Sequence, residues 1–203
     1  MSEVLDAFIA GLAASPPLER IAVGLGIAYA VLAVRRSRWC WVCGGLSSVI
    51  LAYLAAHARL PMQAALQVFY VVMSVYGFFS WVRQEQQADS VVSTWPLKAH
   101  LLAWVTILAV SALSARWLAA ESGAAWPLLD SVTTWSSLVA TWLVVRMKLE
   151  NWLYWIAIDL VSTYLFVAQK LPSVALLFVT YLGISAVGFI TWLKTYRRQS
   201  RTA

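Results

Sequence analysis

Asp159 is the residue whose chemistry is hardest to explain by packing alone. It lies near the middle of residues 151–169, a run that holds no other charged side chain. If this run crosses a membrane, a charge there costs about 2.5–3.5 kcal/mol on insertion scales, which predicts a binding function. Trp152 and Trp155 precede it at helical spacing and would share its face. Two indoles beside a carboxylate suit a flat cationic ring, whereas a membrane-interface belt explains Trp152 but not Asp159.

A second candidate face lies in the run 62–82. Its members at helical spacing are Gln67, Tyr70, Ser74, Gly77 and Trp81. Small residues let helices approach closely, so Ser74 and Gly77 are interpreted first as packing positions. Tyr76 lies off this stripe, and helical geometry alone favours it less as a ligand contact.

The remaining reactive side chains do not predict a catalytic or metal site. Cys40 and Cys43 have the spacing of redox and metal pairs, but no acidic residue or histidine stands near enough to complete a ligand set, which favours buried thiols. His57 and His100 fall near opposite membrane faces and cannot share a metal. No hydrolase, zinc-protease or phosphate-loop motif occurs. We therefore predict no enzyme activity, no metal and no cofactor.

Composition decides the class of protein in which these residues act. Of 203 residues, 62% are apolar and 12% are charged, and the mean hydropathy is +0.74. These values exclude a disordered tail, a disulfide scaffold and an ordinary cytosolic enzyme, and they indicate a polytopic protein of the lipid bilayer. The net charge of +6 resides in short loops and at the C-terminus, so nucleic-acid binding is not expected.

Apolar runs of membrane-spanning length predict an all-α fold of seven transmembrane helices. The runs are 18–34, 39–56, 62–82, 98–118, 128–145, 151–169 and 174–193. Basic residues orient them, because cytoplasmic loops carry an excess of Lys and Arg. With the C-terminus in the cytoplasm and the N-terminus outside, eleven of the fifteen basic residues fall inside. These eleven are Arg35, Arg36, Arg38, Arg83, Lys98, Arg146, Lys148, Lys194, Arg197, Arg198 and Arg201.

The chain also resembles itself when it is shifted so that Trp41 falls on Trp152 and Arg35 on Arg146; we call this shift the repeat offset. Two three-helix units joined directly would cross the membrane in opposite orientations, and a single linker helix between them gives both the same one. The repeat therefore predicts a parallel arrangement of three, one and three helices (3+1+3). This repeat type is that of sugar-facilitator (SWEET-like) folds, with a substrate site between the units near the midplane. A seven-helix receptor bundle would show no repeat. The predicted parts are a periplasmic segment 1–17, a first unit 18–82, a loop and linker helix 83–127, a second unit 128–193 and a cytoplasmic basic tail 194–203.

The repeat is broken at the candidate binding residues. Trp155 aligns with Gly44 and Asp159 with Ser48, so the second indole and the carboxylate have no counterpart in the first unit. Gln67 aligns with Phe178, whereas the other members of its stripe align with identical residues. This difference makes Gln67 the better candidate for a ligand contact. The broken symmetry therefore predicts where a substrate binds.

The motifs that carry these residues resemble those of the nicotinamide riboside transporter family, PnuC. The run Glu150-Asn151-Trp152-Leu153-Tyr154-Trp155 is similar to the family signature on the sixth span. Residues 67–81 resemble its third span, and Asp130-Ser131 before the fifth span also fits.

The resemblance implies a multi-pass facilitator of the bacterial inner membrane. Members move an unphosphorylated vitamin down its gradient, are usually homo-oligomeric, and depend on a cytoplasmic kinase that traps the product. Carried over by motif position, the substrate contacts are Trp152, Trp155 and Asp159, with support from Gln67, Tyr76 and Asn151.

Two departures from the family pattern leave the substrate open. Nicotinamide riboside members typically have Asn where this chain has Asp159, and some have Asn at Ser74. The Asp variant resembles the thiamin-transporting branch, and both substrates are cationic heteroaromatics. A sugar facilitator and a membrane assembly or receptor-like protein without transport activity are the further alternatives.

Overall fold

The computed structural model describes residues 16–57, 61–86, 91–121, 126–169 and 171–202. Within them the chain forms seven helices, all long and apolar enough to cross a membrane, which confirms the predicted number of spans. They are α1 (Pro17–Val34), α2 (Trp39–His57), α3 (Pro61–Gln86), α4 (Leu97–Glu121), α5 (Pro127–Val145), α6 (Asn151–Ala168) and α7 (Pro172–Thr202).

Helix bounds differ from the predicted spans mainly at the C-terminus. The basic segment after residue 193 was expected as a tail, but it forms the last turns of α7, which ends at Thr202. Hydropathy reports where a helix leaves the lipid, whereas Lys, Arg and Gln remain good helix formers in water. The expected periplasmic segment 1–17 lies outside the described residues except for its last two.

Two framework contacts recur between the first group of helices, α1–α3, and the second group, α5–α7. The indole of Trp81 donates a hydrogen bond to the Val145 carbonyl at 3.1 Å, and the indole of Trp192 donates to the Val34 carbonyl at 3.1 Å. Trp192 is the repeat counterpart of Trp81, and Val145 is that of Val34. Each group is therefore tied to the other by the same bond.

One glycine in each group makes room for a further indole. A Cβ at Gly77 would lie 2.5 Å from the Trp41 ring, and one at Gly188 would lie 2.6 Å from the Trp152 ring. Each ring then packs edge-on against the framework indole of its own group, at 5.5 Å between centroids in both cases. Glycine is required here because only a missing side chain lets the helix backbone reach the indole.

The ends of α1 and α5 are built alike. Arg36 and Met147 have φ of 55° and 49°, and their amides bond back to the Ala33 and Val144 carbonyls. This left-handed turn ends each helix and directs the chain into the next one.

A short segment before α4, residues 91–96, crosses the loop between α5 and α6; we refer to it as the strap. Ser93 donates its amide to the Met147 carbonyl at 3.1 Å and accepts one from Leu149 at 2.9 Å. Val92 beside it is buried. The strap fixes α4 to the second group, where Trp135 also bonds Ser114.

Candidate functional site

A cavity of about 330 Å³ lies between the two groups of helices. Residues from every helix except α4 line it. All of them but Gly26, Tyr29 and Leu51 come in pairs related by the repeat offset, so the wall is built from equivalent positions of both groups. The volume matches that of a small-molecule site.

Six of the eight predicted site residues meet in this cavity. They are Gln67, Tyr70, Ser74, Trp152, Trp155 and Asp159. Three sit on α3 and three on α6, and the helical spacings read from the sequence bring each set to one face.

Asp159 is buried, with 3% of its surface exposed. Its Oδ2 accepts a hydrogen bond from the Ser185 hydroxyl on α7 at 3.1 Å. Within the described ranges no Lys, Arg or His pairs with this carboxylate. An ionised carboxylate that is buried without a cationic partner is costly, and here its charge is uncompensated by the described residues of the cavity.

The two indoles on α6 are held differently. Trp152 is buried against Gly188 and Trp192, and its Nε1 donates to no described residue. Trp155 is only half-buried and occupies the position equivalent to Gly44. At Gly44 the space is taken by Tyr29, whose ring would lie 2.8 Å from an added Cβ.

The α3 face contributes polar groups with defined partners. The Tyr70 hydroxyl lies 2.7 Å from the Ser137 hydroxyl on α5. Ser74 also packs against α2, where a Cβ added at Gly45 would lie 3.2 Å from the Ser74 Cβ. Gln67 is buried, and its side chain adds an amide to the cavity wall.

Tyr76 and Asn151 do not line this cavity. Tyr76 lies on the outer face of α3, where 43% of it is exposed and its ring stacks on Trp142 at 6.0 Å. Asn151 is fully buried at the start of α6, and its Nδ2 donates to the Lys148 carbonyl at 2.6 Å. Tyr76 lies off the helical face that carries Gln67, Tyr70 and Ser74. Asn151 shares the face of Trp155, but as the first residue of α6 its side chain bonds the preceding loop instead of lining the cavity.

Sequence reasoning missed Tyr29 as a cavity residue. It lies on α1, where no polar stripe marks a functional face. Tyr181, the counterpart of Tyr70, and Ser48, the counterpart of Asp159, also line the cavity. The repeat gave the signal for these two, because a counterpart of a site residue faces the same cavity from the other group.

The comparisons with known proteins agree on one family. The family model "Nicotinamide mononucleotide transporter" matches residues 16–194. The riboflavin/roseoflavin transporter RibM of Streptomyces davaonensis is 28% identical over 87% of this chain and 84% of its own length. The nicotinamide riboside transporter PnuC of Neisseria mucosa is 31% identical over 77% of this chain and 64% of its own length. PnuC of Escherichia coli is 26% identical over 68% of this chain and 69% of its own length.

A solved structure, the crystal structure of the vitamin B3 transporter PnuC, has the same fold. It superposes with a TM-score of 0.73 at 24% identity and covers 97% of this chain and 89% of its own. The family and its structure are those of transporters, which confirms the prediction that the chain is not an enzyme. The chain belongs to the nicotinamide mononucleotide transporter family, as a vitamin transporter related to PnuC and RibM.

Proposed function

We propose that this protein carries nicotinamide riboside, or a closely related cationic vitamin, across the bacterial inner membrane. The observation that carries the proposal is the buried carboxylate of Asp159, which has no described cationic partner and shares its cavity with Trp152 and Trp155. A pyridinium ring has a flat face on which indoles can stack, and its positive charge would pair with the carboxylate. Gln67, Tyr70 and Ser74 add hydrogen-bonding groups for the sugar.

The two groups of helices act, in this proposal, as parallel repeats of a 3+1+3 fold like that of the sugar facilitators. Support comes from the two equivalent contacts, related by the repeat offset, that tie α3 to α5 and α7 to α1. Rocking of one group against the other would open the cavity to each side in turn. The basic ends of α1, α3 and α5 face the cytoplasm, and the N-terminus faces outside.

Transport is by facilitated diffusion, and a cytoplasmic kinase supplies the driving force by phosphorylating the product. Reconstituted vesicles without kinase, ATP or a membrane potential should therefore equilibrate the vitamin to equal concentrations inside and outside. Accumulation above the outside concentration under these conditions would contradict this mode.

Riboflavin is the second candidate, because RibM, a riboflavin/roseoflavin transporter, is similar along most of its length. Thiamin is the third, because it is a cationic heteroaromatic that Asp159 would also suit. The carboxylate discriminates between the first and second candidates, since riboflavin brings no positive charge to it.

Competition in proteoliposomes tests the proposal. Uptake of radiolabelled nicotinamide riboside should be measured against unlabelled nicotinamide riboside, thiamin and riboflavin, in the native chain and in Asp159→Ala and Asp159→Asn. We expect nicotinamide riboside to compete best and Asp159→Ala to abolish uptake, while Asp130→Asn, which removes an exposed carboxylate from α5, leaves uptake unchanged. Unchanged uptake in Asp159→Ala would refute the site. Stronger competition by riboflavin or thiamin would reassign the substrate.

A further inference from the structure

A second cavity, of about 670 Å³, opens at the end of α3 beside the strap and the α5–α6 loop. Three cations line it, Arg83, Arg146 and Lys148, and no carboxylate of the described residues does. Hydrogen-bonding side chains of Ser80 and Ser93 stand among them. Three cations around one polar cavity form a site for an anion with several acceptor oxygens, such as a phosphate group.

Neutral groups hold two of these cations in place. Lys148 Nζ donates to the Ser93 hydroxyl at 2.9 Å, and the Arg146 guanidinium lies 5.7 Å from the centroid of the Trp142 ring. The ion pairs of the described residues, Arg38–Glu85 and His100–Glu150, include none of the three. Their positive charge is therefore available to a ligand.

An apolar strip leads from this cavity along the outer face of α3. Phe79, in the cavity wall, is 66% exposed, and Val75 and Val72, one and two turns further, are 56% and 60% exposed. In a membrane-spanning helix such a strip faces hydrocarbon. A cationic cavity at the helix end that continues into a lipid-facing strip combines the two parts that a phospholipid needs.

We propose that this cavity binds the phosphate headgroup of an anionic phospholipid, with an acyl chain along Val72, Val75 and Phe79. A soluble phosphate would use the cations but not the strip, which is why the structure favours a lipid. The proposal requires only that the protein is embedded in a membrane, and it is independent of the proposed substrate.

The general excess of positive charge at this end of the helices does not account for the cavity. Arg35 ends α1 as Arg146 ends α5, but Ser37 stands where the second loop has Lys148. The strap pairs with the second loop, through Ser93. Arg35 lies outside the cavity. Both loops thus carry charge, but the cationic cavity forms at the α5–α6 loop, where α3 and the strap complete its wall.

Native mass spectrometry of the detergent-purified full chain tests this site. The protein should be titrated with phosphatidylglycerol and with phosphatidylcholine of the same acyl chains. The double variant Arg83→Gln, Arg146→Gln should bind phosphatidylglycerol roughly 25-fold more weakly, at about fivefold per cation removed, and lose its preference for it. The matched control, Arg35→Gln with Arg36→Gln, removes two charges from the same end of the helices and should keep both affinity and preference.

The outcomes separate the explanations. Equal losses in the two double variants would overturn the proposal in favour of general surface charge. No preference for phosphatidylglycerol in the native chain would overturn it by showing that charge does not control lipid binding. Displacement of the lipid by inorganic phosphate at equal concentration would assign the cavity to a soluble phosphate and also overturn it. Unfolding temperatures measured in detergent identify any variant that fails to fold. If the Gln double variant does not fold, the double variant Arg83→Lys, Arg146→Lys replaces it; it keeps the charge but not the forked geometry, and it should bind phosphatidylglycerol more weakly than the native chain does.

Discussion

The two groups of helices use the same framework contacts and differ where they face the cavity. Trp81 and Trp192 make equivalent hydrogen bonds to the opposite group, and Gly77 and Gly188 seat equivalent indoles. At the cavity wall, however, Asp159 stands in place of Ser48 in the second group. Packing thus keeps the symmetry, because both groups must build the same interface. The cavity wall departs from it at Asp159, Trp155 and Gln67, as we expect if it binds one asymmetric substrate.

The largest effect should come from moving the carboxylate to the other group. Asp159→Ser should lower nicotinamide riboside uptake about 100-fold, since it removes the charge partner of a buried cation. Adding Ser48→Asp places a carboxylate at the equivalent position of the first group. No indole stands beside it there, because Gly44 is the counterpart of Trp155. We therefore expect the exchanged variant to remain inactive in proteoliposomes. Recovery to half of native uptake would mean that the two groups are interchangeable at the site.

The next effect concerns the second indole. Trp155→Ala should weaken binding about tenfold, because stacking of a heteroaromatic ring on an aromatic side chain contributes about 1–3 kcal/mol. The control Trp117→Ala removes a half-exposed indole of α4, outside the cavity, and should leave binding unchanged. Isothermal titration with the purified protein measures both. Equal losses in the two variants would argue that indoles act here through general membrane anchoring.

A pair of glycine variants separates framework from site. Gly77→Ala and Gly188→Ala each force a methyl group into an indole, so each should destabilise the fold by about 1–3 kcal/mol. Gly188→Ala displaces Trp152, which shares α6 with the carboxylate, and should also raise the apparent KM for uptake several-fold. Gly77→Ala displaces Trp41 and should raise it less. The same change in KM for both would show that the two indoles contribute equally to binding.

The seven membrane-spanning helices and six of the cavity residues could be predicted from the sequence. A charge within an apolar run has few structural explanations, so Asp159 stands out without any coordinates, and helical spacing adds Trp155. Tyr29 could not be found this way, because it lies among apolar residues of α1 and reaches the cavity through the space that Gly44 leaves. The pairing of Ser93 with the α5–α6 loop is tertiary, and no local pattern specifies it.

Resemblance and geometry differ most over Tyr76 and Asn151. Both were predicted from motif position, and the structure places them outside the cavity. A motif preserves residues for packing and for binding alike, so its members need not share one role. Asn151 bonds the Lys148 carbonyl, which fixes the turn before α6, and Tyr76 lies in the wall of the cationic cavity.

The smallest effect is expected at Tyr70 and Tyr181, a pair of repeat counterparts that are the same residue type. Tyr70 and Tyr181 are equivalent, but the Tyr70 hydroxyl bonds Ser137, whereas Tyr181 faces Gly26 at the position equivalent to Ser137. Tyr70→Phe should therefore lower the unfolding free energy by about 1 kcal/mol, the contribution of one hydrogen bond. Tyr181→Phe should leave stability unchanged, since its hydroxyl bonds no described side chain, and should weaken substrate binding two- to fivefold, roughly the value of one neutral hydrogen bond. Chemical denaturation in detergent and ligand titration together measure both. If Tyr181→Phe costs as much stability as Tyr70→Phe, its hydroxyl has a structural partner, and the second group contributes one polar contact fewer to the substrate.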